Sequence, residues 1–220
     1  MSALDTAEKV VRIAGFAALG VCWLAAAAGA TRGAAAATAR AARLARRWRA
    51  HTVYLIGAVP YFLACALLWH PLPGAWSVPW RALALATGGI LGAAGGGLYL
   101  WGRFALGDMY NVASSLGVEL YRGQRLVASG PYRFVRHPMY LGLFLSAAGG
   151  LLVYRRWALV FVLATLPGAV IKARLEERLL AEELGPEWAA YAARVPGWLP
   201  RPRSPDTVRV KKEGGDGIVT

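Results

Sequence analysis

Two strings hold most of the residues that could do chemistry. The first reads Arg136-His137-Pro138-Met139-Tyr140-Leu141-Gly142. Proline suits the first position of a helix, where its missing N–H costs nothing. His137 then falls at the helix cap, with Arg136 just before it. Free N–H groups and the positive end of the helix dipole join these two side chains, so the spacing predicts an anion site. Gly142, one turn in, permits close approach of another backbone or a ligand. The second string runs from Lys172 to Gly185 and carries Arg174, Glu176 and Glu177. On a helix the two glutamates point about 100° apart, so they cannot share one role. An anion-binding helix start beside an acidic helix suits a zwitterion, its carboxylate to Arg136 or His137 and its ammonium to a glutamate. The plainer alternative is anchoring of Arg136 and His137 to lipid phosphate, with Lys172 pairing to Glu176 one turn away.

The elements that must position these strings are membrane helices. Of the 220 residues, 57% are hydrophobic and 17% charged, and mean hydropathy is +0.41. Soluble domains average about 25% charged residues, so the composition excludes a soluble enzyme, a disordered chain and a collagen-like fibre. A spanning helix needs about 20 apolar residues. Five stretches come close: 13–31, 52–69, 82–101, 138–154 and 157–171. Only Arg155 and Arg156 separate the last two, which predicts a tight helical hairpin. The last stretch runs into the Lys172 string without a breaker, and Gly185-Pro186 ends that helix. The expected fold is an all-α polytopic membrane bundle of about five transmembrane helices, its N-terminus outside and its C-terminus cytosolic. Residues 1–106 hold the first helices, 107–200 the chemistry-bearing region and 201–220 a tail of disordered composition.

Charge follows the same plan. The formal net charge is +13. With the N-terminus outside, 20 of the 25 Lys and Arg residues fall on the inner side, as the positive-inside rule requires. Topology thus explains the basic excess, and no nucleic-acid partner is expected. The first stretch ends Ala28-Gly29-Ala30, which also fits a signal-peptide cleavage site. The six arginines of 32–51 argue against translocation of that segment. Segment 32–51 reads instead as a basic amphipathic helix on anionic membrane lipids. In the third stretch Gly88, Gly92 and Gly96 recur every four residues, a small-residue face for close helix packing. Cys22, Cys65, His51, His70 and His137 are too scattered for a metal site or a disulfide framework. The aromatics beyond Gly185, including Trp188, Tyr191 and Trp198, are expected at headgroup level.

The paired pattern resembles the isoprenylcysteine carboxyl methyltransferase family and the related phospholipid methyltransferases. The matching pieces are Gly130-Pro131-Tyr132, the string from Arg136 to Gly142, the Glu176-Glu177 pair, and Gly185 followed by Tyr191, Val195 and Pro200. They cover the C-terminal third of the chain. The resemblance implies an integral membrane enzyme that uses S-adenosylmethionine in a pocket on the cytosolic side. It implies that His137 and Tyr140 belong to that pocket, supported by Arg136, Tyr132, Pro138 and Gly142. Glu176 or Glu177 matches the family's paired acid, and Arg174 would orient it or meet an anionic substrate. The implied reaction is direct displacement onto a lipophilic small-molecule or lipid-linked acceptor that enters from the bilayer. The Ala- and Arg-heavy composition fits a bacterial source, hence the cytoplasmic membrane and an acceptor other than a prenylated cysteine. Two rivals remain. Sterol-type membrane reductases, which use NADPH, have a similar C-terminal region but usually carry Asn where this chain has Met139. A non-enzymatic membrane accessory protein could keep the same fold.

Overall fold

The computed structural model describes residues 2–36, 59–110 and 125–199. Helix α1 spans Ala3–Ala36. Ser2 and Asp5 start it with a reciprocal cap: the Asp5 N–H donates to Ser2 Oγ (3.2 Å) and the Ser2 N–H to Asp5 Oδ2 (3.0 Å). Residues 59–67 are helical (α2). Helix α3 spans Val78–Leu106, with Pro79 in its first turn and Gly107 (φ 50°) at its end. Helix α4 is Pro138–Tyr154, α5 is Trp157–Leu184 and α6 is Pro186–Arg194. Among the described residues there is no β-strand, only an isolated bridge between Pro71 and Arg156. The protein is an all-helical membrane bundle.

Among the described residues, three helices are long and apolar enough to cross a bilayer: Ala3–Ala26 of α1, Val78–Leu106 and Trp157–Leu184. Helix α4 has 17 residues, about 26 Å at 1.5 Å each. The five expected spans therefore become three long helices, a shorter α4, and a second stretch of which 52–58 lies outside the described residues. The expected hairpin forms. Arg155, at φ 53°, makes the left-handed turn between α4 and α5. The fifth stretch does run on through the Lys172 string as one helix, with Pro167 inside it. The expected basic helix lies mostly outside the described residues, as does the 201–220 tail. Helix α6, read from sequence as a short aromatic segment, is an addition.

Glycine packing sets how closely α3 and α4 approach, but with a different period from the expected one. Gly92 touches α4 only through its backbone, at Gly149, whereas the buried Gly88, Gly95 and Gly102, seven residues apart, are those where a Cβ would strike α4. They meet Gly149, Gly142 and Met139 of α4 respectively, so the two helices run antiparallel. A Cβ at Gly95 would lie 2.6 Å from the Gly142 carbonyl oxygen. At Gly92 a Cβ would meet nothing within 4 Å, and at Gly96 only Cys22 Sγ of α1 at 4.0 Å. Seven residues complete nearly two turns, drifting about 20°, whereas four overshoot by about 40°. The four-residue repeat therefore rotates off the α4 face.

At the end of the bundle that carries the α4–α5 turn, buried Glu8 gathers three arginines. Arg155 Nη2 lies 2.9 Å and Arg81 Nε 3.1 Å from Glu8 Oε1, and Arg12 Nη2 lies 3.3 Å from Oε2. Arg81 also reaches Asp5 at 2.8 Å. This cluster joins α1, α3 and the turn. It contains three of the five basic residues that sequence reading assigned to the outer side.

Candidate functional site

The opposite end of α4 carries the candidate residues. Gly130, at φ 59°, turns the chain beneath Trp101 and Ala105 of α3. The short 3-10 turn Gly130–Arg133 follows, with Pro131 and Tyr132 buried. The chain then extends to His137, which caps α4 at φ −121°, ψ 56°. Pro138 takes the first helical position and is fully buried. So the predicted helix start is real, and its cap is 7% exposed.

Helix α5 brings both glutamates to this start. His137 Nε2 lies 2.7 Å from Glu177 Oε1, and Arg136 Nε lies 3.0 Å from the same oxygen. A carboxylate accepts only, so the imidazole donates through Nε2–H. Arg136 Nε is buried and off-line for a hydrogen bond, so its tie to Glu177 is an ion pair. Arg136 Nη1 donates to the Ala192 carbonyl at 3.0 Å. The Tyr140 hydroxyl donates to Glu176 Oε1 at 2.8 Å. The glutamates thus divide the work: Glu177 holds the helix cap and Glu176 holds Tyr140. Lys172 Nζ sits 5.7 Å over the Tyr140 ring, while Glu176, which the plainer alternative paired with Lys172, accepts from the Tyr140 hydroxyl.

Helix α6 closes the region from below. Trp188, Tyr191 and Val195 form one buried stripe against Leu126, Leu180 and Leu184. The Tyr191 hydroxyl donates to the Tyr132 carbonyl at 2.8 Å, in a buried contact. Burial pushes the Tyr191 phenol up to about 12, so it remains a donor through the physiological range. Burial likewise raises the Tyr132 phenol.

Of the nine residues singled out in the sequence, His137, Arg136, Tyr140, Glu176 and Glu177 come together in direct contact. Tyr132 joins through its backbone carbonyl. Pro138 and Gly142 sit in the packed contact with α3, where a Cβ at Gly142 would lie 2.8 Å from the Tyr99 backbone nitrogen. The close approach expected at Gly142 is thus to a backbone. Arg174 is exposed on α5 and makes none of these contacts. Sequence reading missed Trp198. Its ring centroid lies 5.2 Å from His137, 6.3 Å from Tyr140 and 5.7 Å from Phe144. It packs over the His137 and Tyr140 rings.

Residues 83–187 match the phospholipid methyltransferase family. The chain is 31% identical over 145 residues to the cobalt-zinc-cadmium resistance protein CzcN of Cupriavidus metallidurans, covering 65% of this chain and 60% of that protein. It is 28% identical over 128 residues to the nickel-cobalt-cadmium resistance protein NccN of Alcaligenes xylosoxydans xylosoxydans, covering 57% and 54%. It is 30% identical over 158 residues to methanethiol S-methyltransferase 1 of Bradyrhizobium diazoefficiens, covering 70% and 55%. The chain therefore spans little more than half the length of these curated relatives.

Proposed function

From the match of residues 83–187 to the phospholipid methyltransferase family we propose that the chain transfers a methyl group from S-adenosylmethionine to a lipophilic acceptor at the cytosolic face of the membrane. One observation carries this reading. The capped start of α4 and the acidic turn of α5 meet through the 2.7 Å His137–Glu177 contact and the 2.8 Å Tyr140–Glu176 contact.

The donor set fits this cofactor. Arg136 and the start of α4 offer positive charge to a carboxylate. The Glu176 and Glu177 oxygens offer acceptors to an ammonium group. Tyr140 and Trp198 offer aromatic faces to a cation. When bound, S-adenosylmethionine supplies a methyl group already made electrophilic by its sulfonium. The residues of the chain then have two tasks: to hold the reacting groups in line and to exclude water. Glu177 fixes the His137 ring and the Arg136 guanidinium, Glu176 fixes the Tyr140 ring, and Trp198 covers them.

A carboxylate or thiolate acceptor needs no base. A thiol or amine does, and Glu176, Glu177 and His137 are the groups at hand. Likeness to phospholipid methyltransferases supports a lipid acceptor, and likeness to the methanethiol S-methyltransferase of Bradyrhizobium supports a thiol. Arg174, exposed three residues before Glu177, is available to an anionic acceptor that arrives along the membrane. With the start of α4 on the inner side, the basic excess of the chain lies there too.

Thermal unfolding of the detergent-solubilised chain tests the reading. A ligand at 100 times its Kd stabilises the folded state by about 2.7 kcal/mol. S-adenosylhomocysteine should raise the melting temperature and NADPH should not. A shift with NADPH alone would support a reductase, and a shift with neither would remove the methyltransferase reading. Transfer of labelled methyl to extracted lipids, lipophilic thiols and lipophilic acids then identifies the acceptor.

A further inference from the structure

The segment after α6 lies beyond residue 187, where the match over residues 83–187 ends, and only Val195 and Pro200 of it belong to the resemblance. It is nonetheless built into the site. Val195 leaves the helix in an extended conformation (φ −112°, ψ 120°). The Arg136 N–H then donates to the Pro196 carbonyl at 2.9 Å and the His137 N–H to the Gly197 carbonyl at 3.1 Å. These two bonds fix the segment as a strap directly over the paired side chains. A Cβ at Gly197 would lie 3.4 Å from Arg136 Nη2 and 3.9 Å from Glu177 Oε1. The next residue, Trp198, is carried into the aromatic group formed by His137, Tyr140 and Phe144. Its plane is tilted 32° to the His137 ring and 40° to the Tyr140 ring, and it meets Phe144 edge-on at 87°.

We infer that Trp198 is a charge-sensing wall of the cofactor site, its π-face recognising a sulfonium cation in preference to the neutral thioether left after transfer. The inference rests on the methyltransferase reading above. An aromatic face attracts a cation through its quadrupole, most strongly for tryptophan and most effectively where water is excluded. Here the face adjoins two side chains, His137 and Tyr140, each hydrogen-bonded to a glutamate carboxylate. Aromatic rings and carboxylates together favour a positive, weakly hydrated group. In methyl transfer the acceptor's lone pair forms the new bond to carbon. The electron pair of the breaking carbon–sulfur bond stays on sulfur, which becomes neutral. The attraction to Trp198 is lost with the charge, so the same residue that favours substrate entry favours product release.

The test compares dissociation constants of S-adenosylmethionine and S-adenosylhomocysteine for the full chain in detergent, without acceptor, by equilibrium dialysis. The wild-type chain should bind the charged form more tightly. Trp198→Leu should lower the ratio of the two affinities by about 3- to 30-fold, by weakening the charged ligand alone. Trp198→Phe keeps an aromatic face and should give an intermediate ratio; it also decides the matter if Trp198→Leu does not fold. Equal weakening of both ligands, or an unchanged ratio in the folded variants, would make Trp198 a packing residue and overturn the inference. A wild-type chain that binds both ligands equally would overturn it as well. Failure of the wild-type chain to bind either ligand would overturn the methyltransferase reading, and this inference with it.

Discussion

Replacing Glu177 with glutamine removes one negative charge and leaves the shape almost unchanged. In the structure a single oxygen, Oε1, faces both His137 Nε2 at 2.7 Å and Arg136 Nε at 3.0 Å. The amide retains a hydrogen-bonding oxygen for the imidazole but gives Arg136 no counter-charge, and its guanidinium Nε is already buried without a hydrogen-bond partner. Close charge pairs couple by about 1.5–7 kcal/mol. Glu177 is 26% exposed, so solvent screening favours the low end, about 1.5 kcal/mol. At about 1.4 kcal/mol per decade this predicts roughly tenfold weaker binding of S-adenosylhomocysteine. Isothermal titration in detergent measures it, with circular dichroism to verify the helical content. Arg178→Ala, which removes a charge from the next, exposed position, provides the control and should bind as the wild type does. If Glu177→Gln binds normally while folded, the carboxylate does not organise the site, and the proposed division of labour between the two glutamates is wrong.

Two further predictions concern the scaffold. Gly95→Leu should sharply lower the yield of folded protein, because the backbone of Gly142 occupies the space. Gly92→Leu should be tolerated, since a Cβ there meets nothing within 4 Å; fluorescence-detected size exclusion compares the two, and equal damage would contradict the seven-residue register. Glu8→Gln leaves three arginines around a neutral side chain, and breaking a buried ion pair costs about 3–5 kcal/mol. The melting temperature should fall by roughly 6–20 °C at 2–4 °C per kcal/mol, while an unchanged value would show that the cluster is solvated.

The features legible in the sequence were those decided within one or two helical turns. Pro138 after His137 announces a helix start, and Arg155-Arg156 between apolar runs announces a turn. The unbroken run from Trp157 through Leu184 announces one long helix, Pro167 notwithstanding, because its apolar character and strong helix formers persist on both sides. Helix α6 was also within reach. Pro186 at a helix start and Trp188, Tyr191 and Val195 at intervals of three and four mark an amphipathic face. The features that could not be read depend on contacts between distant parts of the chain. Glu8 lies 73 residues from Arg81 and 147 from Arg155, and nothing near it hints at either partner. Trp198 reaches His137 only because the strap pairs with residues 136–137. The glycine period failed for a different reason. Both spacings are present in the sequence, and only a partner helix selects between them.

The meeting of His137 with Glu177 follows from counting residues along the hairpin. Helix α4 and helix α5 leave the same turn at Arg155 and Arg156 and run back along each other. From Tyr154 to His137 the rise is about 26 Å, and from Trp157 to Glu177 about 30 Å. The two side chains are therefore level to within one helical turn before any tertiary contact forms. Each is long enough to take up the remaining offset, as the 2.7 Å contact shows. Helix α4 ends there, whereas α5 continues to Leu184. The difference leaves a ledge of α5 beyond the start of α4, and α6 and the strap fold back over it. A water-soluble cofactor needs an edge of this kind, open to the aqueous side and floored by a membrane helix along which a lipophilic acceptor can arrive. On the proposed function, the unequal lengths of the two hairpin helices would place the chemistry at the boundary between the two phases that supply its reactants.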